Sequence, residues 1–563
     1  LAKTKTKPNT EVDILSLDYQ LAELPSSQHR AGLAGLILII KWLERQPDFQ
    51  EKINNGAICR ITRLDTQGAT LEINQAGLEA LFDEVYAAST EEQPRPQPLK
   101  NQRTKEVIPP LREEERDEID PKNPQKVKKK KVYIYPVVVP KGSFLADSQY
   151  DKSSDNKNGY WIKLWRDMVW NILRGVPATR KPFEARAEGT YTEDAGKIWK
   201  ELVQPLEFTV DLPSTYFLGA QAFNAETVPF KDRGRFQFLL HFWLFTAQIY
   251  VPAVINTEGS RDFVGYALAI PDIADLHAFC DELPAVLSER GTEISGYRPR
   301  DAVVDLAIES ALDVMRRLRS RLTVKTGQQV TGYTLLGVDV IHTEKRGNNV
   351  RLLSISRVDP DEPMVDEYAQ IRDNYWSPLF RRQRLLNLVN HHSWYTGFDA
   401  LLCSLPYEQS IENDYFCRDV REAFNNEIAP MDEETTTVTE TNIEQLVFRL
   451  VENYVRRKLN SKYQLEFKAE WKPLLSAKEG RNELSKRPDY KEYTEKKAKI
   501  AKTAFLDVRS RTEQRDFINY FVSSLCSVPQ HMRSEDYVSL TKALYEDSDR
   551  IRTLTLLALS ANS

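Results

Sequence analysis

The amino-acid sequence predicts an α+β N-terminal region, mixed sheets with helices, followed by an all-α C-terminal helix bundle. Three observations carry this. Runs with strand character fall before about residue 360. Beyond that point apolar residues recur mostly at three- and four-residue spacing. A polar, acidic stretch at 432–442 then sets off a last group of helices that reads as a small bundle. Five segments follow. They are a 1–90 α/β unit, a 91–131 charged, Pro-rich insertion or linker, a 132–360 α+β core, a 361–430 helical connector and a 431–563 bundle.

In the first unit, Ser26 and Ser27 can cap a helix from about His29 to Arg45, with Leu33, Leu36, Ile37, Ile40 and Leu43 on one face. Strands over 57–64 and 69–73, joined through Gln67 and Gly68, and a helix over 75–87 follow. Residues 91–131 hold seven prolines, nine acidic and twelve basic residues, and no aromatic residue. That composition suits a solvated segment, not a core. The segment ends in the lysine run Lys126 to Lys131. Residues 132–139 form the strongest strand, with Pro136 marking an edge or a bulge. An amphipathic helix over 160–173 carries Trp161, Trp165 and Trp170 and stops at Arg174 to Pro177. Residues 265–271 read as a strand ending at Pro271. A long helix over 301–322 turns Val304, Leu306, Ala311, Val314 and Leu318 inward. Segments 332–342 and 349–358 make a hairpin across Arg346 to Asn349, residues that suit positive φ. The helical half then holds 377–390, 399–403, 443–459, 489–508, 513–526, 535–546 and 550–559.

Composition narrows the class. With 563 residues the chain has room for three or four domains, and 41% hydrophobic content excludes wholesale disorder. A net charge of −5 excludes a uniformly basic coat but leaves room for a local basic patch. Five cysteines, at 59, 280, 403, 417 and 526, include no C-x-x-C pair. This argues against a disulfide scaffold or a four-cysteine zinc site and suits a reducing cytoplasm. No secretory signal is visible. The best apolar run, Leu33 to Ile40, meets Lys41 after eight residues, too short to span a membrane. The first residue is Leu1, so a trimmed N-terminus and a non-AUG start both stay open.

Searches for catalytic patterns return little. There is no Walker A, no G-x-G-x-x-G after a strand, no H-E-x-x-H and no G-x-S-x-G. The seven histidines make no metal-ligand spacing, and neither a metal nor another cofactor is expected. Pro488 and Asp489 with Glu495, Lys496 and Lys497 resemble a nuclease P-D…E-x-K pattern. That pattern needs a hairpin, and this stretch reads as helix. A metal-dependent nuclease stays as the alternative reading, beside an RNA-binding scaffold of another system.

Basic charge is concentrated. Residues 449–515 carry 19 Lys/Arg against 10 Asp/Glu, a local +9, so the remainder carries −14 to reach −5. On the 443–459 helix Leu446, Val447, Leu450, Val451, Tyr454 and Val455 make the buried stripe, which turns Arg449, Asn453 and Arg456 outward. Arg449, Arg456, Arg457, Lys458, Lys496 and Lys497 are therefore candidates to track a nucleic-acid backbone. Further phosphate candidates are Lys128, Lys129, Lys130 and Lys131, then Arg316 and Arg319 near a helix C-terminus, and Arg381 and Arg382. The plain alternative for each is a solvated face with paired charges. The stretch from Leu218 to Arg235 differs in kind. Gly219 lets a backbone approach a groove, Gln221 and Asn224 can read base edges, and Lys231, Arg233 and Arg235 can hold phosphates. An ordinary polar loop is the alternative.

Four stretches bring a family into view. They run from His29 to Leu36, from Leu173 to Arg180, from Leu239 to Trp243 and from Phe263 to Asp272. In this order, ahead of an all-helical C-terminus, the chain resembles the large subunit of type I-B CRISPR Cascade complexes, in their Myxan-like branch. The resemblance runs from about 29 to 560 and leaves out 91–131. It implies a non-catalytic protein that recognises the PAM flanking a target, promotes duplex opening and R-loop formation, and holds the displaced strand. Guide pairing reads the rest of the target. It also implies partners: crRNA-containing Cascade backbone subunits, target double-stranded DNA, small-subunit helical proteins, and a recruited helicase–nuclease or transposition proteins. Among the small subunits would be this chain's own C-terminal fragment, which such systems make from an internal start. Met431 is the candidate start, placed to release a complete bundle without severing a core.

Overall fold

The computed structural model describes residues 13–101, 104–120, 123–146, 159–173, 180–190, 193–212, 230–256, 259–326, 334–347, 349–427, 442–476, 478–527 and 533–563. Of the expected site residues, Gly219, Gln221, Asn224, Met431 and the side chain of Lys128 lie outside these. The chain divides into two units, one built from 1–253 and 263–362, the other from 254–262 and 363–563.

The first unit is built around the helix Ser27–Leu43. Ser26 caps it, its hydroxyl accepting from the His29 amide and bonding the His29 ring at 2.7 Å. The sequence predicts one apolar face, but this helix is buried on nearly every side. The strand Tyr266–Ile273, the turn Trp243–Phe245 and the helices Gly234–Leu239 and Leu276–Ser288 all pack on it. Gly32 and Gly35 make that enclosure possible. A Cβ on either would stand 2.2 Å from a backbone oxygen, that of Leu239 or Phe242.

An antiparallel sheet orders Leu15–Gln20, Gly68–Ile73 and Cys59–Leu64. In its hairpin the Asp65 carboxylate accepts from the amides of Gln67 and Gly68, both at 2.9 Å, which sets the turn. A larger sheet runs Gln248–Ile255, Tyr266–Ile273, Leu335–Arg346 and Asn349–Val358 in that order. The expected 349–358 hairpin is there. The strand expected to end at Pro271 continues to Ile273. Its partner Gln248–Ile255 pairs only over Ala267 to Ala269, so the edge is open where proline lacks its N–H.

Two expectations are corrected. Residues 91–131 are largely sheet: Ala88–Arg95 and Arg112–Asp120 flank the eighteen-residue strand Asn123–Pro140. Charge pairing across strands supplies what apolar alternation does not. Arg112 meets Glu92 at 2.6 Å and Lys131 meets Glu113 at 2.5 Å, while Glu114 on the same strand as Arg112 also meets it at 2.8 Å. Pro136 lies beyond the last pairing with Arg112–Asp120, on the stretch with an open edge. The long helix expected from 301 starts later, as Glu309–Thr326. Residues before it form a turn, Arg300–Ala302, and a short strand, Val303–Val304, that pairs in parallel with Val251 and Pro252.

The second unit is predominantly helical, as expected. Its centre is the helix Ser548–Ala561, buried from Ile551 through Ala561. Around it pack Ile443–Tyr463, Pro488–Ser510, Gln514–Tyr520 and Ser534–Glu546, and also Phe398–Ser404 and Asp414–Glu427. Arg421 donates from Nε and Nη2 to the Ala561 carbonyl, at 3.1 and 2.7 Å. The bundle core thus reaches upstream of 431, contrary to the expectation that a break there severs no core. Thr555 and Ser560, buried in this helix, donate to the carbonyls of Ile551 and Leu556.

Candidate nucleic-acid interface

A cation already paired with a carboxylate, above all a buried one, has less charge to offer a phosphate, so partners separate the candidates. On Asn123–Pro140, Lys131 is matched by Glu113 at 2.5 Å and Lys129 by Glu115 at 3.7 Å, while Lys130 faces Arg116 in register. On Glu309–Thr326, Arg316 reaches Asp313 at 3.0 Å and Arg319 reaches Glu362 at 2.9 Å. Their neighbour Arg317 joins Asp313 at 2.7 Å and Asp301 at 2.9 Å, and Arg321 joins Glu289 at 2.9 Å. Asp313 is fully buried and also accepts from the Tyr250 hydroxyl. These arginines are fold-holding groups. Arg381 and Arg382 are half-buried on Pro378–Val389 and interact within the fold.

The helices Ile443–Tyr463 and Pro488–Ser510 behave differently. Leu446, Val447, Leu450, Val451, Tyr454 and Val455 are buried, as their spacing predicts. Arg449, Arg456 and Lys458 are exposed, and Arg457, Lys496 and Lys497 are half-buried. Among the described residues, none of these six cations has a carboxylate within 4.0 Å. Arg456 bonds the Asn453 side chain at 3.0 Å. Aromatic rings take the place of acids. Lys458 lies 5.8 Å from the Tyr454 ring, and the Tyr463 ring is shared by Lys462 at 5.5 Å and Lys496 at 5.3 Å. A ring attracts a cation weakly without neutralising it, so the ammonium groups keep their charge for a phosphate. Lys497 is pushed down to about 8, by burial first and by Arg421 second, with Glu452 opposing. The acids and lysines of the nuclease-like pattern lie on the single helix Pro488–Ser510, and Asp489 is held by Lys468 at 2.6 Å. Among the described residues no group of three or more His, Cys, Asp or Glu is placed to hold a metal ion.

In the first unit, Thr209–Leu212 and Phe230–Arg233 pair as an antiparallel hairpin that brackets residues 213–229. Lys231 is exposed on it, opposite Asp211. Arg233 pairs with Glu207 at 3.5 Å. Arg235 is half-buried, its carbonyl accepting from the Tyr19 hydroxyl at 3.0 Å. Asp232, between Lys231 and Arg233, bonds the buried His29 ring at 2.8 Å.

That bond was missed by sequence reasoning, and it ties together stretches that lie far apart in the sequence. His29 holds Asp232, and the next residue, Arg30, pairs with Asp272 at the end of the Phe263–Asp272 stretch. Arg357 adds a second guanidinium on Asp272 at 2.8 Å. Gly32 and Gly35 sit against the carbonyls of Leu239 and Phe242, in the Leu239–Trp243 stretch. Arg180, the last residue of the remaining stretch, lies over the Trp170 ring at 4.5 Å. Three of the four stretches are one packed assembly, which fixes the base of the 209–233 hairpin.

No curated protein matches the chain. Two family descriptions do. Residues 58–328 match the Type I-B CRISPR Cas8b N-terminal domain, and residues 335–562 match the Type I-B CRISPR Cas8b C-terminal domain. With both matches in chain order over most of its length, the protein belongs to the Cas8b family, as a large subunit of a type I-B CRISPR system.

Proposed function

We propose that this chain is the non-catalytic DNA-targeting subunit of its Cascade complex. In this reading it recognises the PAM, promotes duplex opening and R-loop formation, and holds the displaced strand along the basic face of Ile443–Tyr463 and Pro488–Ser510. Its partners are crRNA-containing backbone subunits, target DNA, small-subunit helical proteins, and a recruited helicase–nuclease or transposition proteins, in the cytoplasm. Among the described residues no helix is long and apolar enough to cross a membrane. Residues 219–235 are assigned to PAM reading on residue type alone.

One observation carries the reading. Of the charge clusters with described partners, the arginines of 316–321 and the lysines Lys129 and Lys131 face carboxylates, whereas Arg449, Arg456, Arg457, Lys458, Lys496 and Lys497 do not. A phosphate chain adds the missing anions and releases counterions as it does so. The test is target binding by the reconstituted complex across a salt series. Replacing Arg456, Arg457 and Lys458 by alanine should weaken binding to all targets. It should also flatten the log–log salt slope by roughly two to three units, about 0.9 per phosphate contact. In the same assay Asn224→Ala should relax PAM preference more than it weakens overall binding. An unchanged slope in the triple variant would remove the backbone track.

An internal start at Met431 is kept in modified form. Its product would lack Phe398–Ser404 and Asp414–Glu427, so it needs an apolar partner where these pack on Ser548–Ala561. A Met431→Ala gene that still yields the short product would rule this start out.

A further inference from the structure

The first unit holds a short hairpin that neither the basic face nor the 209–233 hairpin accounts for. Ile294 and Ser295 pair with Pro299 and Arg298, and the two-residue tip is Gly296 and Tyr297. Gly296 has φ +66°, the left-handed value that the first tip residue of a II′ turn requires. Among the described residues Tyr297 is the most exposed large hydrophobic side chain, at 78%. Ile294 beside it is 49% exposed.

This tip is held firmly. Below it, Trp161 donates from its indole to the Gly291 carbonyl at 3.1 Å, and Arg290 lies 4.0 Å over the Trp161 ring. The Gly291 amide donates to Asp301 at 3.0 Å, and the Arg300 amide donates to the Glu293 carbonyl at 2.8 Å. A rigid hairpin that keeps an aromatic ring in water invites a flat partner. The charges around it select which one. Lys163 lies 5.3 Å over the Tyr297 ring, and Arg298 lies 4.4 Å over Phe263. Neither has a carboxylate within 4.0 Å among the described residues. Burial pushes the nearby Asp167 carboxyl up, and Lys163, Arg298 and Arg166 oppose that rise. Arg300 and Glu293 cancel one another at 2.8 Å. A ring with Lys163 over it and Arg298 next to it in the chain fits a base with its flanking phosphates better than it fits an apolar protein surface.

We propose that the 294–299 hairpin presents Tyr297 as a stacking platform for an unpaired nucleobase, with Lys163 and Arg298 meeting the adjacent phosphates. This rests on the targeting reading above and adds a base contact in a different unit from the basic helices.

The test uses the full chain with 2-aminopurine oligonucleotides in three forms: single-stranded DNA, single-stranded RNA of the same sequence, and the fully paired DNA duplex. Wild type should quench the fluorescence of at least one single-stranded probe, and the form that is quenched identifies the source strand. Tyr297→Ala should lose the quenching and bind that probe between about fivefold and about 150-fold more weakly, with duplex affinity unchanged. Tyr297→Trp should restore both. If Tyr297→Ala keeps affinity and quenching, the platform is wrong while the basic face stands. If it loses single-strand and duplex binding equally, the role is structural and the platform is wrong. If it keeps nucleic-acid binding but no longer joins the other complex subunits, the ring is a protein contact and the platform is again wrong. If wild type binds none of the probes at low salt, the platform is wrong, and the targeting reading is decided by the salt series on the reconstituted complex.

Discussion

Two cation-rich regions of this protein end in opposite electrostatic states. On Glu309–Thr326, four arginines within six residues each find a carboxylate: Asp313, Asp301, Glu362 and Glu289 among them. On Ile443–Tyr463 and Pro488–Ser510, Arg449, Arg456, Arg457, Lys458, Lys496 and Lys497 find none among the described residues, and the rings of Tyr454 and Tyr463 stand nearest to Lys458 and Lys496. Both regions are dense in basic side chains. What separates them is whether folding brings an acid to the cation. In the first region the charges hold the fold, and their loss should be felt in stability. In the second they are held out for something else, and their loss should be felt in binding.

The largest test of that contrast lies at Asp313. It is fully buried, and its replacement by alanine leaves Arg317 with a charge half-enclosed beside Asp301 alone. Asp313→Ala should cost about 3–5 kcal/mol in denaturant unfolding, and the folded fraction should bind DNA with the wild-type salt slope. A shifted slope would mean that these arginines also face phosphates.

Lys497 sharpens the other side. Burial and Arg421 hold its pKa near 8, below that of a free lysine, while Glu452 pulls the other way. From pH 8 up to the unfolded value, the unfolded chain binds more protons than the folded one, so stability rises with pH across that window. Below pH 8 the buried ammonium is a cost. Lys497→Met should recover roughly 1–2 kcal/mol there and flatten the pH dependence. DNA affinity should run the opposite way in wild type, weakening as pH rises through 8, and should lose this dependence in the variant. A variant whose binding still falls through pH 8 would detach Lys497 from the basic face.

The smallest effect is expected at Lys131, whose partner Glu113 is as exposed as it is. Lys131→Ala should leave both the unfolding midpoint and the salt slope unmoved, because an exposed pair contributes little. A flattened slope would bring the lysine run back as a phosphate contact.

The same contrast says what the sequence could convey. Local rules were legible: Ser26 before an apolar helix, Asn349 after a glycine turn, the buried stripe from Leu446 to Val455. Partners distant in sequence were not. Glu362 lies 43 residues from Arg319, and Asp232 lies 203 residues from His29. Apart from the strand read over 132–139, the sheet over 88–140 was hidden because its strands match charge to charge, which removes the apolar alternation that marks a strand. The start of the helix at 309 was hidden because Val303 and Val304 gain more as a strand beside Val251 and Pro252 than as helix turns. For the interface, the excess of cations between 449 and 515 could be counted, but which of them lack an acid is a property of the fold alone.

The position of Ser548–Ala561 has a consequence for how the protein is made. The ribosome delivers this segment after every helix that packs against it, from Phe398–Ser404 through Ser534–Glu546. Those helices emerge with apolar faces turned toward a place still empty, and they must wait for translation to reach 561 before the second unit can close. The first unit has no such delay, because its own central helix, Ser27–Leu43, leaves the ribosome early. The basic helices Ile443–Tyr463 and Pro488–Ser510 thus gain their final support only once Ser548–Ala561 has been made.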